Sequence, residues 1–307
     1  MIDNDLINIA LATYNGERFI QQQLDSISEQ THKNFIIHLC DDGSKDNTLA
    51  VVKSHPLYQK GKIVIHLGKG GLGALKNFDR AISLCDAPYI ALCDQDDYWH
   101  PEKLSTLLVQ IKKQEFINPE EAVLVFSDLE IVNENLGKIA SSFYRSSIKS
   151  SKAENPEDFL VSNHIPGCVM FFNHQLKQLL EPIPKRIRMH DWWIAMIAAS
   201  CGVICYIDRP LIKYRQHGNN TVGVPGMARR RILPDSLLCL RGFSVTRKRT
   251  AVMRKELAEF YRLHKVKTDY FRPVVDNNMS FFDKLNLMYK ARNGERKTLS
   301  YLIWWIL

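Results

Sequence analysis

Apolar and polar positions along this chain fall into two alternating kinds of block. Short apolar runs of strand length, Ile7 to Ala12, Phe35 to Cys40, Ile63 to Leu67 and Pro88 to Cys93, alternate with longer stretches of helical spacing. Those helical stretches cover Phe19–Glu29, a segment capped by Asp46-Asn47-Thr48 and running to about Lys53, and Asn77–Leu84. Strand–helix alternation at this spacing predicts right-handed crossovers and a parallel sheet, and therefore an α/β fold. A helix from about Pro101 to Lys113 comes next, then a strand from Ala122 to Phe126 that ends in Ser127-Asp128. Ser141 to Glu157 is polar and reads as a loop with a short helix. Val169 to Phe172, Val203 to Ile207 and Leu211 to Arg215 read as further strands. Met189-His190-Asp191-Trp192-Trp193 opens a helix of small residues through Ser200.

In a parallel sheet, ligands bind beyond the carboxyl ends of the strands. The polar clusters of this chain fall at those ends: Thr13-Tyr14-Asn15, Asp41-Asp42, Gly70-Gly71 and Asp94-Gln95-Asp96-Asp97 after the first to fourth strands. Three carboxylates beside a buried strand repel one another and resist ionising together. A hard divalent cation, Mg²⁺ or Mn²⁺, removes that cost, takes oxygen ligands and often completes its shell with phosphate. The last cluster therefore points to metal-assisted handling of a diphosphate. In the plainer reading, Asp97 ahead of Pro101 caps the next helix.

Composition narrows the classes. With 307 residues and 45% hydrophobic content, the chain has ample material for a core. Its seven cysteines are odd in number and show no CxxC, which suits reduced cytosolic thiols better than a disulfide framework or a zinc site. Asp3 and Asp5 stand where a signal peptide would be basic. Charge is uneven: from Pro225 onward there are 18 Lys and Arg against 7 Asp and Glu, a net +11 in a chain of +8, so the first 224 residues carry −3. The expected division is 1–105, 106–224 and a basic helical extension over 225–307.

Thr13-Tyr14-Asn15, Asp41-Asp42-Gly43-Ser44 with Asp46, the glycine-rich loop from Gly68 to Gly73, and Asp94-x-Asp96-Asp97 together resemble the N-terminal half of inverting glycosyltransferase family 2. Pro166-Gly167-Cys168, His190-Asp191-Trp192-Trp193 and Tyr214-Arg215-Gln216-His217-Gly218-Asn219-Asn220 resemble its bacterial rhamnosyltransferase-type subgroup. The resemblance covers roughly residues 6–223, and it implies a nucleotide-sugar-binding half over 1–105 and an acceptor-binding and catalytic half over 106–224. It implies a GT-A fold, with a mostly parallel, Rossmann-like sheet flanked by helices. It also implies a dTDP- or UDP-sugar donor, with dTDP-L-rhamnose as the leading candidate, and a saccharide acceptor that is lipid-linked in surface-polysaccharide synthesis.

Carried over residue by residue, Asp94 and Asp96 are the expected metal carboxylates, Asp94 also meeting the nucleotide. Asp42 is the expected acceptor for a pyrimidine N3–H, with Asp41 supporting it or holding the turn. Tyr14 is placed to stack on the base, and Thr13, Asn15 and Glu17 are placed to bind the nucleotide. Lys76 and Asn77 reach toward the sugar or diphosphate, or lie on an outer helix face. Gln95 is read as spacing. Asp191 is the expected catalytic base, because an inverting transfer needs one carboxylate to take the acceptor hydroxyl's proton. The positive end of its helix is expected to lower its pKa and keep it ionised. The usual Glu-Asp pair is His190-Asp191 here. Trp192 and Trp193 are candidates for a sugar-stacking floor, or for the core. Arg215 and His217 are candidates for a segment folding over the diphosphate, or for a surface turn.

The basic extension ends in Tyr301-Leu302-Ile303-Trp304-Trp305-Ile306-Leu307, too short to span a bilayer but aromatic-rich. With Arg229-Arg230-Arg231 and Arg247-Lys248-Arg249 it suggests a peripheral site on the cytoplasmic membrane surface. Two other classes fit less well. A sugar nucleotidyltransferase needs a longer basic glycine-rich loop after the first strand than Thr13–Arg18 provides. A nucleic-acid-binding protein would set its polyanion against a carboxylate-lined rim.

Overall fold

The computed structural model describes residues 5–147, 149–159 and 162–218, with isolated positions between 252 and 262. Nearly all of the basic extension expected from 225, together with Asn219 and Asn220, lies outside the described residues.

Among the described residues, nine strands form one sheet: β1 (Ile7–Thr13), β2 (Phe35–Asp41), β3 (Ile63–Leu67), β4 (Tyr89–Asp94), β5 (Tyr98–Trp99), β6 (Ala122–Val132), β7 (Lys138–Ala140), β8 (Met170–Asn173) and β9 (Gly202–Arg215). Their order is β3-β2-β1-β4-β8-β6-β9-β5, with β7 beside β6. Strands β1 to β4 are mutually parallel, β8 runs antiparallel between β4 and β6, and β9 returns parallel to β6. The helices are α1 (Ile20–Ser28), α2 (Thr48–Ser54), α3 (Pro56–Gln59), α4 (Gly73–Ser83), α5 (Lys103–Ile117), α6 (Phe143–Ser146), α7 (His174–Leu180) and α8 (His190–Cys201). This is the mixed, mostly parallel α/β architecture that the strand–helix alternation predicts.

The central strands explain their own position. Ile7, Ile9 and Leu11 of β1 and Ile90, Ala91, Leu92 and Cys93 of β4 have no solvent exposure. Near-continuous apolar runs suit strands covered by helices on both faces. Each fully buried Leu or Ile contributes about 1.5–3 kcal/mol, so the sheet centre is the rigid platform. The loops at its carboxyl ends can therefore be polar.

Several boundaries differ from the sequence reading, α5 for one running on to Ile117. Helix α4 starts at Gly73 rather than Asn77, because the Asp42 carboxylate accepts the amides of Leu72 (3.0 Å) and Gly73 (2.9 Å). A cap some thirty residues upstream leaves no local signal. Strand β6 extends to Val132, and the two expected strands at 203–207 and 211–215 are one strand, β9. Its pairing with β6 shifts register around Ser127, Asp128 and Glu130, with Pro210 opposite Asp128. A bulge absorbs the proline that reads as a break in sequence.

Candidate active site

The carboxyl ends of β1, β2 and β4 carry loops that brace one another. Thr13 Oγ1 donates to Gln95 Oε1 at 2.6 Å, the Tyr14 amide donates to the same oxygen at 2.9 Å, and Gln95 Nε2 returns a bond to the Tyr14 carbonyl at 3.2 Å. Gln95, expected to be spacing, is the clamp between the first loop and the acidic loop. Gly16 fits the arrangement, since a Cβ there would lie 2.3 Å from Gln95 Oε1. Asn15 bonds the second loop, its amide to Ser44 Oγ and its Oδ1 accepting from the Lys45 amide. Glu17 accepts the Asn47 amide at 2.7 Å, and its own amide donates to Asp46. The Asp41 carboxylate accepts from the Gly43 and Ser44 amides and the Ser44 hydroxyl, holding the turn.

Four expected nucleotide contacts face solvent: Tyr14, which is 49% exposed, Asn15 and Glu17 in the first loop, and Lys76 on α4. Asn77 is corrected: it is buried, and its Nδ2 donates to the Cys40 and Thr13 carbonyls at 2.8 and 3.3 Å. It ties two strand ends together and does not reach outward.

The acidic loop splits into different environments. Asp94 and Asp96 are partly buried, and Asp97 has no exposure. Asp97 does not cap a helix: its Oδ1 accepts the Arg215 amide at 3.1 Å. Burial, reinforced by the charges of Asp96 and Asp191, pushes the Asp94 carboxyl up to about 7. Burial and the charges of Asp96 and Asp94 hold Asp97 well above the usual carboxylate range. The second half of the chain returns to this loop through the end of β9. His217 Nε2 lies 2.7 Å from Asp96 Oδ2, and the imidazole stacks on Phe19 at 4.7 Å.

Arg215 is also corrected. Its guanidinium is buried, donating to the carbonyls of Asp96 (2.7 Å) and Glu134 and to Gln22 Oε1 (2.7 Å), over the Phe19 ring at 4.7 Å. It fixes the acidic loop from behind and does not fold over a diphosphate.

Asp191 is the second residue of α8 and partly buried. Its Oδ1 accepts the Trp192 amide at 2.7 Å. Burial drives its pKa up to about 6. Hydrogen bonds from the Trp192 and Gly167 amides and Asn163, with the Lys149 charge, offset this only in part. The expected lowering by the helix end is thus outweighed by desolvation. An Asp tuned upward this way is poised to accept a proton near neutrality. A Cβ on Gly167 would lie 3.4 Å from the Asp191 Cβ, and the sulfur of the next residue, Cys168, lies within 4.8 Å of carboxylate oxygens of Asp94 and Asp97, so Asp191 and the acidic loop share one rim.

Trp192 and Trp193 are corrected as a stacking floor, since both indoles are buried. Trp192 Nε1 donates to the Phe159 carbonyl at 2.6 Å, and Trp193 packs edge-on against Phe260. They anchor α8 in the core. His190, stacked on Phe78 at 4.0 Å, is held neutral by burial, which lowers its pKa to about 3.

The comparisons agree with this geometry. The family model of Glycosyl transferase family 2 matches residues 8–180. The dTDP-rhamnosyl transferase RfbG of Shigella flexneri is 31% identical over 226 residues, 69% of this chain and 73% of that protein. Among solved structures, S. aureus TarS residues 1–349 in complex with UDP-GlcNAc superposes with a TM-score of 0.57 at 17% identity, covering 98% of this chain and 78% of that one. The mannosyltransferase PcManGT of Pyrobaculum calidifontis, in complex with GDP-Man and Mn²⁺, gives a TM-score of 0.50 at 14% identity, over 97% and 78%. The sheet order, the acidic loop after β4 and these matches converge: the chain belongs to glycosyltransferase family 2.

Proposed function

We propose that this glycosyltransferase is metal-dependent and inverting, and transfers L-rhamnose from dTDP-L-rhamnose to a saccharide of a surface-polysaccharide precursor. The observation that carries the reaction type is the shared rim, where the Gly167–Cys168 turn lies against both Asp191 and the acidic loop that follows β4. The sugar rests on the likeness to the Shigella flexneri dTDP-rhamnosyl transferase.

The metal fits the residues present. Asp96 Oδ2 and His217 Nε2 are hydrogen-bonded to each other at 2.7 Å, and together they offer a hard oxygen and an imidazole nitrogen, a donor set compatible with Mn²⁺. The PcManGT complex carries the same ion. Asp96 would hold it, with Asp94 and His217 beside it. When bound, such an ion supplies Lewis-acid neutralisation of charge on a leaving diphosphate.

The chain's own side chains supply the rest. Asp42 keeps free lone pairs on both carboxylate oxygens after bonding Leu72 and Gly73, so it can still accept a pyrimidine N3–H. That selects thymine or uracil over cytosine. Tyr14, exposed at the same rim, covers the base. Thr13, Asn15, Glu17 and Asp41 hold the loops in the shape that admits the nucleotide. Asp191 accepts the proton of the acceptor hydroxyl as that oxygen attacks the anomeric carbon from the face opposite the diphosphate. The buried Arg215 fixes the backbone of Asp96 while this happens. The acceptor is read as lipid-linked, in keeping with the +11 charge of the C-terminal segment and its affinity for anionic headgroups.

A donor screen with Mg²⁺ or Mn²⁺ tests the reading by nucleoside diphosphate release. Release from dTDP-L-rhamnose above all other donors is expected. Preference for a UDP-hexose would overturn the sugar, and metal-independent release would overturn the metal.

A further inference from the structure

Phe19 stands where a helix normally starts on a polar side chain. It is the N-cap of α1, the position at which Ser, Thr, Asp or Asn serves the free amides of the first turn, and it makes no side-chain cap hydrogen bond. It does not serve the core instead. The residue is only 8% exposed, yet it lies outside the contiguous apolar core that takes in its neighbour Ile20. Its ring meets cations and an imidazole. The Arg18 guanidinium stands 5.0 Å from the ring centre and that of Arg215 4.7 Å, and the His217 imidazole is stacked on it with the planes 27° apart. The negative face of an aromatic ring attracts such groups.

His217 needs a seat of this kind. It follows β9 by two residues, past the last ladder pair, Val132 with Arg215. Holding a side chain beyond a strand end in one pose costs rotamer entropy. The imidazole is held all the same: its side chain is 6% exposed, with Nε2 against Asp96 Oδ2. Arg215 meets the same ring while its Nε donates to the Asp96 carbonyl. One ring therefore touches both the side chain that bonds the Asp96 carboxylate and the side chain that fixes the Asp96 backbone. Phe19 also belongs to the first loop, since its amide donates to the Gly16 carbonyl at 3.0 Å and closes the turn that follows Tyr14 and Asn15.

We propose that Phe19 is a positioning residue of the metal site: its ring seats the His217 imidazole against Asp96 and ties it to the loop that receives the nucleotide. The inference rests on the reading of Asp96 and His217 as the surroundings of the metal. It makes metal affinity depend on an aromatic face at position 19, and not on apolar bulk alone.

Phe19→Leu keeps an apolar side chain and removes the ring. Free Mn²⁺ measured by electron paramagnetic resonance, with dTDP present, gives the metal affinity without turnover. The Leu variant is expected to bind Mn²⁺ about 10–100-fold more weakly. Phe19→Tyr, which keeps the ring, is expected to bind it about as well as the wild-type protein. In a His217→Ala background, Phe19→Leu is expected to cost nothing further, because the ring acts through the imidazole. A folded Leu variant with wild-type Mn²⁺ affinity overturns the inference alone, as does an equal loss in the presence and absence of His217. Absence of Mn²⁺ binding by the wild-type protein overturns the metal reading and this inference with it. If Phe19→Leu does not fold, proton NMR of the wild-type protein decides, with the His217 ring signals identified by their loss in His217→Ala. An upfield ring-current shift of those signals, and their broadening by substoichiometric Mn²⁺ with dTDP, support the seat. Unshifted signals overturn the stacking, and unbroadened ones overturn the metal reading.

Discussion

The rim built on β1 to β4 and the rim built on β6, β8 and β9 reach the same reaction by opposite means. On the first, polar side chains bond the backbones of neighbouring loops, as Gln95 does to Tyr14, Asn15 to Lys45 and Asp42 to Leu72 and Gly73. Those loops stay open to solvent at Tyr14 and Lys76. On the second, the polar and aromatic residues are drawn inward: Trp192, Trp193, His190 and Arg215 are buried, and Asp191 is partly so. A nucleotide presents many hydrogen-bonding groups, so its rim needs shaped loops. Proton transfer needs one group with a shifted pKa, and shifting it takes desolvation.

The comparison breaks most readily at its two carboxylates. Asp96→Asn removes the proposed metal ligand and is expected to lower kcat about a thousandfold, the equivalent of several kcal/mol of charge stabilisation. Metal-supported donor binding should weaken with it, as read by calorimetry with dTDP and Mn²⁺. Asp191→Asn should lower transfer about 10²–10⁴-fold while donor affinity stays near wild type. Equal loss of binding and turnover in that variant would place Asp191 in the scaffold instead.

The pH profile sharpens the same contrast. Asp191 must be ionised to accept a proton, and its pKa stands at about 6. Activity should therefore be level above that value and fall roughly tenfold per unit below it. A rate unchanged down to pH 5 would remove the base. Stability runs the other way. The folded state takes up the Asp191 proton more readily than the unfolded chain, so between about pH 4 and 6 this group's contribution falls as pH rises. At pH 7 Asp191→Asn relieves a penalty on the order of 2 kcal/mol, raising Tm by several degrees in a thermal melt. The smallest effect belongs to the first rim. Gln95→Ala removes the clamp on the Thr13 and Tyr14 loop, costs about 1 kcal/mol, and should raise the donor KM several-fold with kcat nearly kept.

These two rims also differ in how much the sequence discloses. Strands β1 to β4 are short apolar runs ending in polar clusters, and each lies within a residue of where the alternation puts it. The acidic loop and Asp191 are legible for the same reason, standing where a strand or helix boundary meets charge. Burial is not legible. Arg215, Asn77, Trp192 and Trp193 are of types that serve equally well at a surface site, and only tertiary packing turns them inward. Gln95 between two aspartates carries no local sign that it will bond Tyr14, eighty-one positions away. Lys103 follows Pro101-Glu102 like any exposed residue in a helix's first turn, yet it has no solvent exposure. The opposite expectation for the Asp191 pKa has the same origin: the helix end is visible in the sequence, and the desolvation that outweighs it is not.

The most direct test is the anomalous scattering of manganese from a crystal soaked with Mn²⁺ and dTDP. The account predicts one peak per chain, beside the Asp96 carboxylate and the His217 imidazole at the end of β4, with Asp191 across the rim from it. A peak among Asp94, Asp97 and Cys168, or nucleotide bound with no peak at the rim, would contradict it.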